Sequence, residues 1–331
     1  MIYAKELNAA LKRILQENDK VILMGEDIAD PYGGAFKVTR GLSTEFPDRV
    51  RTTPVSEGAL AGISGGLALA GYRPITEIMF GDFLTLCFDQ VVNHLAKYEG
   101  MYAGQASCPV ILRAPSGGHR GYGPTHSQSL EKHFLGVPGF QVMAASLWHH
   151  PYECLQHLLS SNKPALFVEH KLLYPQHLAK NGDFEVEKKN SEGYLPTYCI
   201  SLVPPEDCTL TVLAYGYEAL LAQRVIEKLA LKDEIFCELL VPTHLSPIDW
   251  APIEASVART GRLLTVEEGV AGWSWGTEIA AEIGRRKFGS LERPVEVLAS
   301  QRQVIPSARD LEASMLVGET QIEQKIREVT R

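Results

Sequence analysis

The 331-residue sequence is poor in cysteine and carries no excess of positive charge, and each shortage excludes a class of protein. Its six cysteines include no CxxC pair, so neither a zinc site nor a redox dithiol is indicated. Several of them lie in apolar runs and are expected to be small core residues. The net charge of -8 argues against a nucleic-acid-binding surface, so no nucleic-acid partner is expected.

Long apolar runs are also absent, and no stretch approaches the roughly 18 residues that a membrane-spanning helix needs. The chain opens with an amphipathic helical pattern between Tyr3 and Asn18 rather than with a secretory signal. We therefore expect no membrane partner and a reducing, cytoplasmic compartment, or an organellar matrix or stroma if a leader has been removed.

Strand-like and helix-like segments alternate along the whole chain. The length favours two domains, and a hydrophobic fraction of 45% is enough for two packed cores. The polar stretch from Gln176 to Pro196 predicts the crossover between them. We therefore predict two doubly wound α/β domains with mostly parallel sheets, over residues 1–190 and 191–331. Apolar runs predict strands at residues 20–25, 75–80, 109–113 and 210–214, and apolar spacing predicts a helix over residues 80–97.

One carboxylate, Glu57, stands near the head of a long stretch, residues 53–89, that holds little other charge. The residues after it, Gly58 to Gly71, are dense in glycine and alanine and predict a helix that packs closely against another backbone. A glutamate there is a candidate for chemistry. It is equally typical of an ordinary helix-end carboxylate stabilised by the helix dipole, and spacing alone leaves both interpretations open.

Two further positions carry groups suited to chemistry. Glu26 and Asp27 end the apolar run at residues 20–25, and ligands of open α/β sheets bind at the carboxyl ends of strands. Solvated loop acids are the alternative interpretation. His126 lies in a glycine-rich loop, residues 114–128, that lacks the spacing of nucleotide-binding motifs. For an isolated histidine in such a loop, a structural role also remains open.

Collinear sequence blocks give the chain a resemblance to a known family. They are GED at 25–27, TPVSEGALAGISGGLALAGYRPITEI at 53–78, DQVVN at 89–93, THSQSLE at 125–131, VPGFQV at 137–142, EHKLLY at 169–174, LTVLAYG at 210–216 and TGRLLTVEEG at 260–269. Together they resemble the beta subunit of the E1 component of 2-oxoacid dehydrogenase complexes. The resemblance implies a thiamine diphosphate-dependent decarboxylase acting on pyruvate or on branched-chain 2-oxoacids.

The resemblance assigns a role to each candidate residue. Glu57 matches the glutamate that hydrogen-bonds N1′ of the cofactor's aminopyrimidine, and Glu26 matches a carboxylate near the cofactor. Phe83 matches the aromatic residue that stacks on the pyrimidine, although Phe80 is close enough in sequence to compete for the role. His126 matches the active-site histidine that serves acyl transfer to a lipoyl group, and imidazole can donate and accept protons near neutral pH.

Partners and further cofactors follow from the same resemblance. It implies an α2β2 heterotetramer with an E1 alpha subunit, an E2 lipoyl acyltransferase that receives the acyl group, and a small 2-oxoacid, with pyruvate the first candidate. The first domain would bind the pyrimidine, and the second, a transketolase-like C-terminal domain, would serve assembly and E2 docking. A structural K⁺ is implied near Leu158 to Lys163.

The metal that the cofactor's diphosphate needs is expected on the alpha subunit. Such enzymes bind Mg²⁺ through a GDG stretch followed by an asparagine about thirty residues later. This chain offers only Gly81-Asp82 and Gly182-Asp183, and neither fits that pattern.

The chain departs from the family pattern at two places. Thr125 stands where Tyr, Gln or His is commoner, and the stretch ELLVPTHLSPID at 238–249 contains an insertion at Val241–Pro247. Two alternatives stay open: the beta subunit of an acetoin-cleaving or other thiamine diphosphate enzyme, and a diverged, non-catalytic scaffold subunit. The presence of both Glu57 and His126 argues against the scaffold.

Overall fold

The computed structural model describes residues 1–331, and their packing divides the chain into two units. Unit 1 comprises Met1–Gly117 and His133–Leu178, and unit 2 comprises Gly118–Lys132 and Ala179–Arg331. The segment Gly118–Lys132, which contains His126, therefore packs with the second half of the chain. The last change of unit along the chain comes at Leu178, inside the stretch predicted to be the crossover.

Unit 1 is an α/β layer structure. Its strands are β1 (Val21–Glu26), β2 (Val50–Thr53), β3 (Arg73–Glu77), β4 (Ile111–Ser116), β5 (Gln141–Ala144) and β6 (Ala165–His170). Its helices are α1 (Tyr3–Glu17), α2 (Leu42–Glu45), α3 (Glu57–Leu69), α4 (Tyr98–Met101) and α5 (Pro151–Ser160), with a 3-10 helix at Gly81–Cys87 and a π-helix at Gln90–Leu95. Helix α1 forms as its periodicity predicts, because Leu7, Leu11 and Ile14 share one face and are buried.

The strand order of unit 1 defines where a ligand can bind. The strands run parallel in the order β5, β6, β4, β3, β1, β2. Because β2 pairs with one side of β1 and β3 with the other, the order reverses at the β1–β3 pair. Doubly wound sheets bind ligands at such a switch point, outside the carboxyl ends of the strands. Strand β1 ends at Glu26, so the topology puts this carboxylate at the expected position.

A buried ion cluster joins three neighbouring strands of unit 1. Arg113 on β4 donates to Glu169 on β6 through Nε and Nη2, at 2.7 and 2.8 Å, and to Glu77 on β3 at 3.0 Å. The Tyr174 hydroxyl adds a 2.7 Å hydrogen bond to Glu169. Burial opposes the charge on Arg113, but Glu169 and Glu77 outweigh it and raise the pKa of the guanidinium. Burial raises the pKa of Glu77, and Arg113 limits the rise.

Unit 2 is a second α/β layer structure. Its strands are β7 (Glu185–Lys189), β8 (Thr197–Ser201), β9 (Leu210–Ala214), β10 (Cys237–Val241), β11 (His244–Ser246), β12 (Leu263–Val270) and β13 (Glu296–Ser300). Its helices are α6 (Gly216–Asp233), α7 (Trp250–Thr260), α8 (Trp275–Arg286), α9 (Arg309–Met315) and α10 (Glu319–Thr330). Short 3-10 helices lie at Glu131–His133, Pro205–Asp207 and Phe288–Ser290.

The sheet of unit 2 runs in the order β13, β12, β9, β10, β8, β7. The first four strands are parallel, and β8 and β7 add an antiparallel edge. Two α/β units with mostly parallel sheets confirm the predicted fold class. Several cysteines were predicted to be core residues, and all six are buried. None of the helices combines the length and the apolar character that crossing a membrane requires.

Three local predictions were wrong in detail. The strand predicted at residues 75–80 begins at Arg73 and ends at Glu77, because Pro74 is accommodated at the start of the strand. The helix predicted over residues 80–97 is instead the 3-10 and π segments. The predicted crossover contains β7, an edge strand whose charged sequence EVEKK gives no apolar alternation.

Candidate active site

Glu26 closes strand β1 as a buried carboxylate. Only 2% of its surface is exposed, and its Oε1 accepts a 3.1 Å hydrogen bond from the backbone N–H of Ser56. This bond ties the end of β1 to the residue that precedes helix α3. Burial raises the pKa of Glu26, and the nearby charge of Glu57 raises it further.

Glu57 is the first residue of α3 and is 6% exposed. The helix is held against the sheet by a 2.7 Å hydrogen bond between Ser64 and Thr76. Its glycines permit close approach, since a Cβ on Gly58 would lie 3.2 Å from the carbonyl oxygen of Leu86. Because its residues are small, the start of α3 packs closely against its neighbours in unit 1. The carboxylate of Glu57 is therefore buried at the positive end of the helix dipole.

The charge of Glu57 affects the protonation of Glu26. This charge is the second cause, after burial, of the raised pKa of Glu26. Glu26 therefore keeps its proton to a higher pH than an exposed glutamate does. It can hold a proton at the switch point of unit 1.

Phe83 lies in the 3-10 helix Gly81–Cys87 and is half-buried. Its ring meets Phe80 edge-to-face, with centroids 6.2 Å apart, and Phe80 in turn packs edge-to-face against Phe36 at 5.8 Å. Unit 1 therefore supplies an aromatic cluster that could pack against a flat heterocycle. Both candidates for the stacking role belong to this cluster.

His126 lies in unit 2, in the loop between Gly118 and Lys132. The structure thus brings Glu26, Glu57 and Phe83 together within one unit and assigns His126 to the other. The imidazole Nδ1 pairs with the hydroxyl of Thr125 at 3.1 Å. Thr125, the departure from the family pattern, is exposed and contacts the ring directly, so it contributes to the setting of His126.

Unit 2 also contains buried glutamates that sequence reasoning did not single out. Burial raises the pKa values of Glu131, Glu218 and Glu267. Glu131 accepts a 2.5 Å hydrogen bond from the hydroxyl of Tyr215. The available signal was Glu267-Glu268 at the end of an apolar run, the same pattern that marked Glu26.

Neither Asp82 nor Asp183 lies in surroundings that suit a magnesium site. Asp82 is buried within the 3-10 helix Gly81–Cys87, and Asp183 is exposed in a loop. Mg²⁺ prefers an octahedral set of oxygens from one or two carboxylates, phosphate and water. The chain presents no such set beside the Glu26–Glu57 pair.

Comparisons with known proteins define the class. Residues 1–176 match the model of the transketolase pyrimidine-binding domain, and residues 201–322 match that of the transketolase C-terminal domain. A solved structure described as a split-gene transketolase, an inactive β4 tetramer, superposes with a TM-score of 0.72 at 18% identity, covering 100% of this chain and 99% of that one. The protein is thus a transketolase-like two-domain α/β protein.

Three curated relatives place the chain in a narrower family within the transketolase-like class. Pyruvate dehydrogenase E1 subunit beta of Leifsonia xyli is 36% identical over 307 residues, 92% of this chain and 88% of the relative. The mitochondrial E1 subunit beta-1 of Arabidopsis thaliana is 32% identical over 326 residues, covering 97% and 86%. The beta subunit of an acetoin:2,6-dichlorophenolindophenol oxidoreductase of Cupriavidus necator is 32% identical over 328 residues, covering 96% and 93%. The chain belongs to the family of transketolase-like E1 beta subunits, which depends on thiamine diphosphate.

The residues of unit 1 fit one end of this cofactor. A carboxylate buried at a helix start, beside a second carboxylate with a raised pKa, suits a ring nitrogen that must share a proton. The half-buried Phe83 suits the flat pyrimidine. The observed fit concerns the pyrimidine end of the cofactor alone.

Proposed function

We propose that the chain is the catalytic beta subunit of a 2-oxoacid dehydrogenase E1 acting on pyruvate, with transfer of the acyl group to the lipoyl group of an E2 acyltransferase. The observation that carries the proposal is the burial of Glu57 at the first turn of α3, beside Glu26 at the switch point. A buried acid in this position serves the pyrimidine ring of thiamine diphosphate better than it serves folding, because burying a carboxylate costs free energy.

Each residue has a defined task in this proposal. Thiamine diphosphate, when bound, supplies the carbon nucleophile and the electron sink for decarboxylation. Glu57 would hydrogen-bond N1′ of the pyrimidine, and Glu26, whose pKa is raised by burial and by the charge of Glu57, would lie beside it. Phe83 packs against the ring and excludes water from it.

His126 is proposed to act in the second half-reaction. Its imidazole, partnered by Thr125, would exchange a proton with the lipoyl sulfur as the acyl group transfers. His126→Ala should therefore lower acyl transfer to a lipoyl domain more than it lowers decarboxylation with an artificial electron acceptor. Equal losses in both assays would remove this specific role.

An alpha subunit is proposed to complete the cofactor site and hold its Mg²⁺. Unit 1 exposes large apolar side chains at Val55, Ile63 and Leu86, and a Cβ on Gly66 of α3 would meet open space. Exposed apolar side chains along a helix with open glycine positions suit a protein interface. We assign this surface to the alpha subunit of an α2β2 heterotetramer.

A structural K⁺ held by backbone carbonyls near residues 158–163 is also part of the proposed function.

The test of Glu57 is the Glu57→Gln variant assayed with a candidate alpha subunit under saturating cofactor. Glutamine keeps the shape but cannot share an acidic proton, so CO2 release from pyruvate should fall about 100-fold or more. Glu6→Gln, which changes a first-turn glutamate of α1, is the matched control and should retain activity. Turnover of the Glu57 variant near that of the wild type would contradict the proposal.

Acetoin cleavage is the second candidate function, because the Cupriavidus necator relative spans nearly the whole chain. Both reactions break a carbon–carbon bond next to the carbonyl carbon of the substrate, and they differ in what leaves: CO2 from pyruvate and acetaldehyde from acetoin. Parallel assays with pyruvate and with acetoin, using 2,6-dichlorophenolindophenol as acceptor, separate them. We expect the higher kcat/KM with pyruvate, and a higher value with acetoin would select the second candidate.

A further inference from the structure

A single buried carboxylate in unit 2 binds both ends of the loop that carries His126. Glu268 lies on β12 and is 3% exposed. Its Oε1 accepts a 2.9 Å hydrogen bond from the backbone N–H of Gly118 and a 2.7 Å bond from the hydroxyl of Ser129. One oxygen atom therefore joins the first residue of the loop to a residue three positions after His126.

The loop between these two anchors has no regular secondary structure. It contains no helix or strand from Gly118 to Ser129, and His119 adopts φ +63°. A second glutamate, Glu312, accepts a 2.7 Å hydrogen bond from the N–H of Gly121. In a loop without a regular backbone ladder, these two glutamates accept hydrogen bonds from two backbone N–H groups and one hydroxyl.

The second oxygen of Glu268 faces the loop as well, since its Oε2 lies 3.5 Å from Nε2 of His119. Burial raises the pKa of the neighbouring Glu218 well above its ordinary value, and the charge on Glu268 contributes to that rise. The N–H of Gly118 and the hydroxyl of Ser129 donate to the same oxygen, so loss of this one carboxylate removes both loop anchors.

We propose that Glu268 is a positioning residue for His126: it fixes the loop so that the imidazole is held ready for acyl transfer, without itself touching the substrate. The proposal rests on the role of His126 given above. Small displacements of a catalytic group lower rates by large factors, so loss of the anchor should affect the half-reaction that uses His126.

The test compares Glu268→Ala with Glu268→Gln in the enzyme assembled with its alpha subunit. The alanine variant should lower acyl transfer to a lipoyl domain by about 10- to 100-fold while leaving decarboxylation within about twofold. The glutamine variant keeps an Oε1 acceptor and should recover most of the loss. In the alanine variant, hydrogen exchange of the 118–129 amides should accelerate in the isolated chain, which reports on the loop without any cofactor.

Two further variants keep the inference falsifiable if the alanine variant folds poorly. Ser129→Ala removes one anchor and should give a smaller loss of the same kind. Glu238→Ala removes a buried carboxylate on β10 of the same unit that bonds Ser256 and Arg259, and it should not separate the half-reactions. A separation by Glu238→Ala equal to that of Ser129→Ala would overturn the inference, because it would show a general effect of destabilisation.

Combination with His126→Ala distinguishes the two proposals. If Glu268 acts through His126, the Glu268→Ala/His126→Ala double variant should be no slower in acyl transfer than His126→Ala alone. Failure of His126→Ala to separate the half-reactions would contradict the proposed function. Separation by His126→Ala together with none by Glu268→Ala or Ser129→Ala would contradict the positioning role alone.

Discussion

The buried ion cluster of unit 1 predicts a large and pH-dependent loss of stability when its cation is removed. Arg113 is fully buried and bonds both Glu77 and Glu169, which are themselves buried. Arg113→Met keeps most of the side-chain volume and leaves two carboxylates without a cation. Removing one partner of a buried ion pair costs about 3–5 kcal/mol. Unit 1, at roughly 160 residues, should then unfold about 6–20 °C lower.

The sign of the pH dependence follows from the carboxylates. Burial raises the folded-state pKa of Glu77, and loss of Arg113 removes the interaction that limits the rise. A group with a raised folded-state pKa favours folding below its unfolded pKa, near 4.5, and that contribution is lost as the pH rises through the folded value. The difference between wild type and Arg113→Met should therefore grow between about pH 5 and pH 8.

Urea unfolding of both proteins across that pH range measures the effect. Arg286→Met is the control: Arg286 pairs with Glu282 and Glu254 at the surface of unit 2, where an ion pair contributes about 0–1 kcal/mol. An Arg113→Met loss below about 1 kcal/mol, or one that does not change with pH, would refute the reasoning.

Two further predictions concern the backbone of unit 1. Gly139→Ala should destabilise by about 1–3 kcal/mol more than Gly136→Ala in thermal unfolding, because both glycines have positive φ but only a Cβ on Gly139 would lie 2.3 Å from the carbonyl oxygen of Ala96. Equal losses would contradict this. Asp30 accepts four hydrogen bonds, beginning with the N–H of Gly41, which lower its pKa to about 2. Its stabilisation should be present above about pH 4 and lost as the pH falls through 2, so the advantage of wild type over Asp30→Asn should shrink in acid.

The site in unit 1 was predictable because its signals are local. The apolar run before Glu26 predicts a buried strand with a carboxylate at its carboxyl end. In the observed strand order, this end of β1 lies at the switch point of the sheet. The Gly/Ala-rich stretch after Glu57 predicts the helix that buries it. Spacing alone did not separate a functional carboxylate from a helix-end one, and the burial of both acids and the raised pKa of Glu26 are observations that only the structure provides.

The remaining features depend on contacts between distant residues. Residues 80–97 have helical apolar spacing, but they form a 3-10 helix and a π-helix instead. In the 3-10 helix, Gly81 packs so closely on Ser116 that a Cβ on Gly81 would lie 2.6 Å from the side chain of Ser116. Glu268 bonds donors at Gly118 and Ser129, about 140 positions earlier in the chain. Its role cannot be derived from residues beside it in sequence.

Calorimetry with Mg²⁺ and thiamine diphosphate is the most direct test of the claim that this chain supplies the pyrimidine half of a shared cofactor site. The isolated chain should bind the cofactor weakly, because it lacks oxygen ligands for the diphosphate's metal. Addition of the alpha subunit should tighten binding by at least about 100-fold, and Glu57→Gln should weaken binding in the assembled complex. Tight, stoichiometric binding by the isolated chain would contradict the claim.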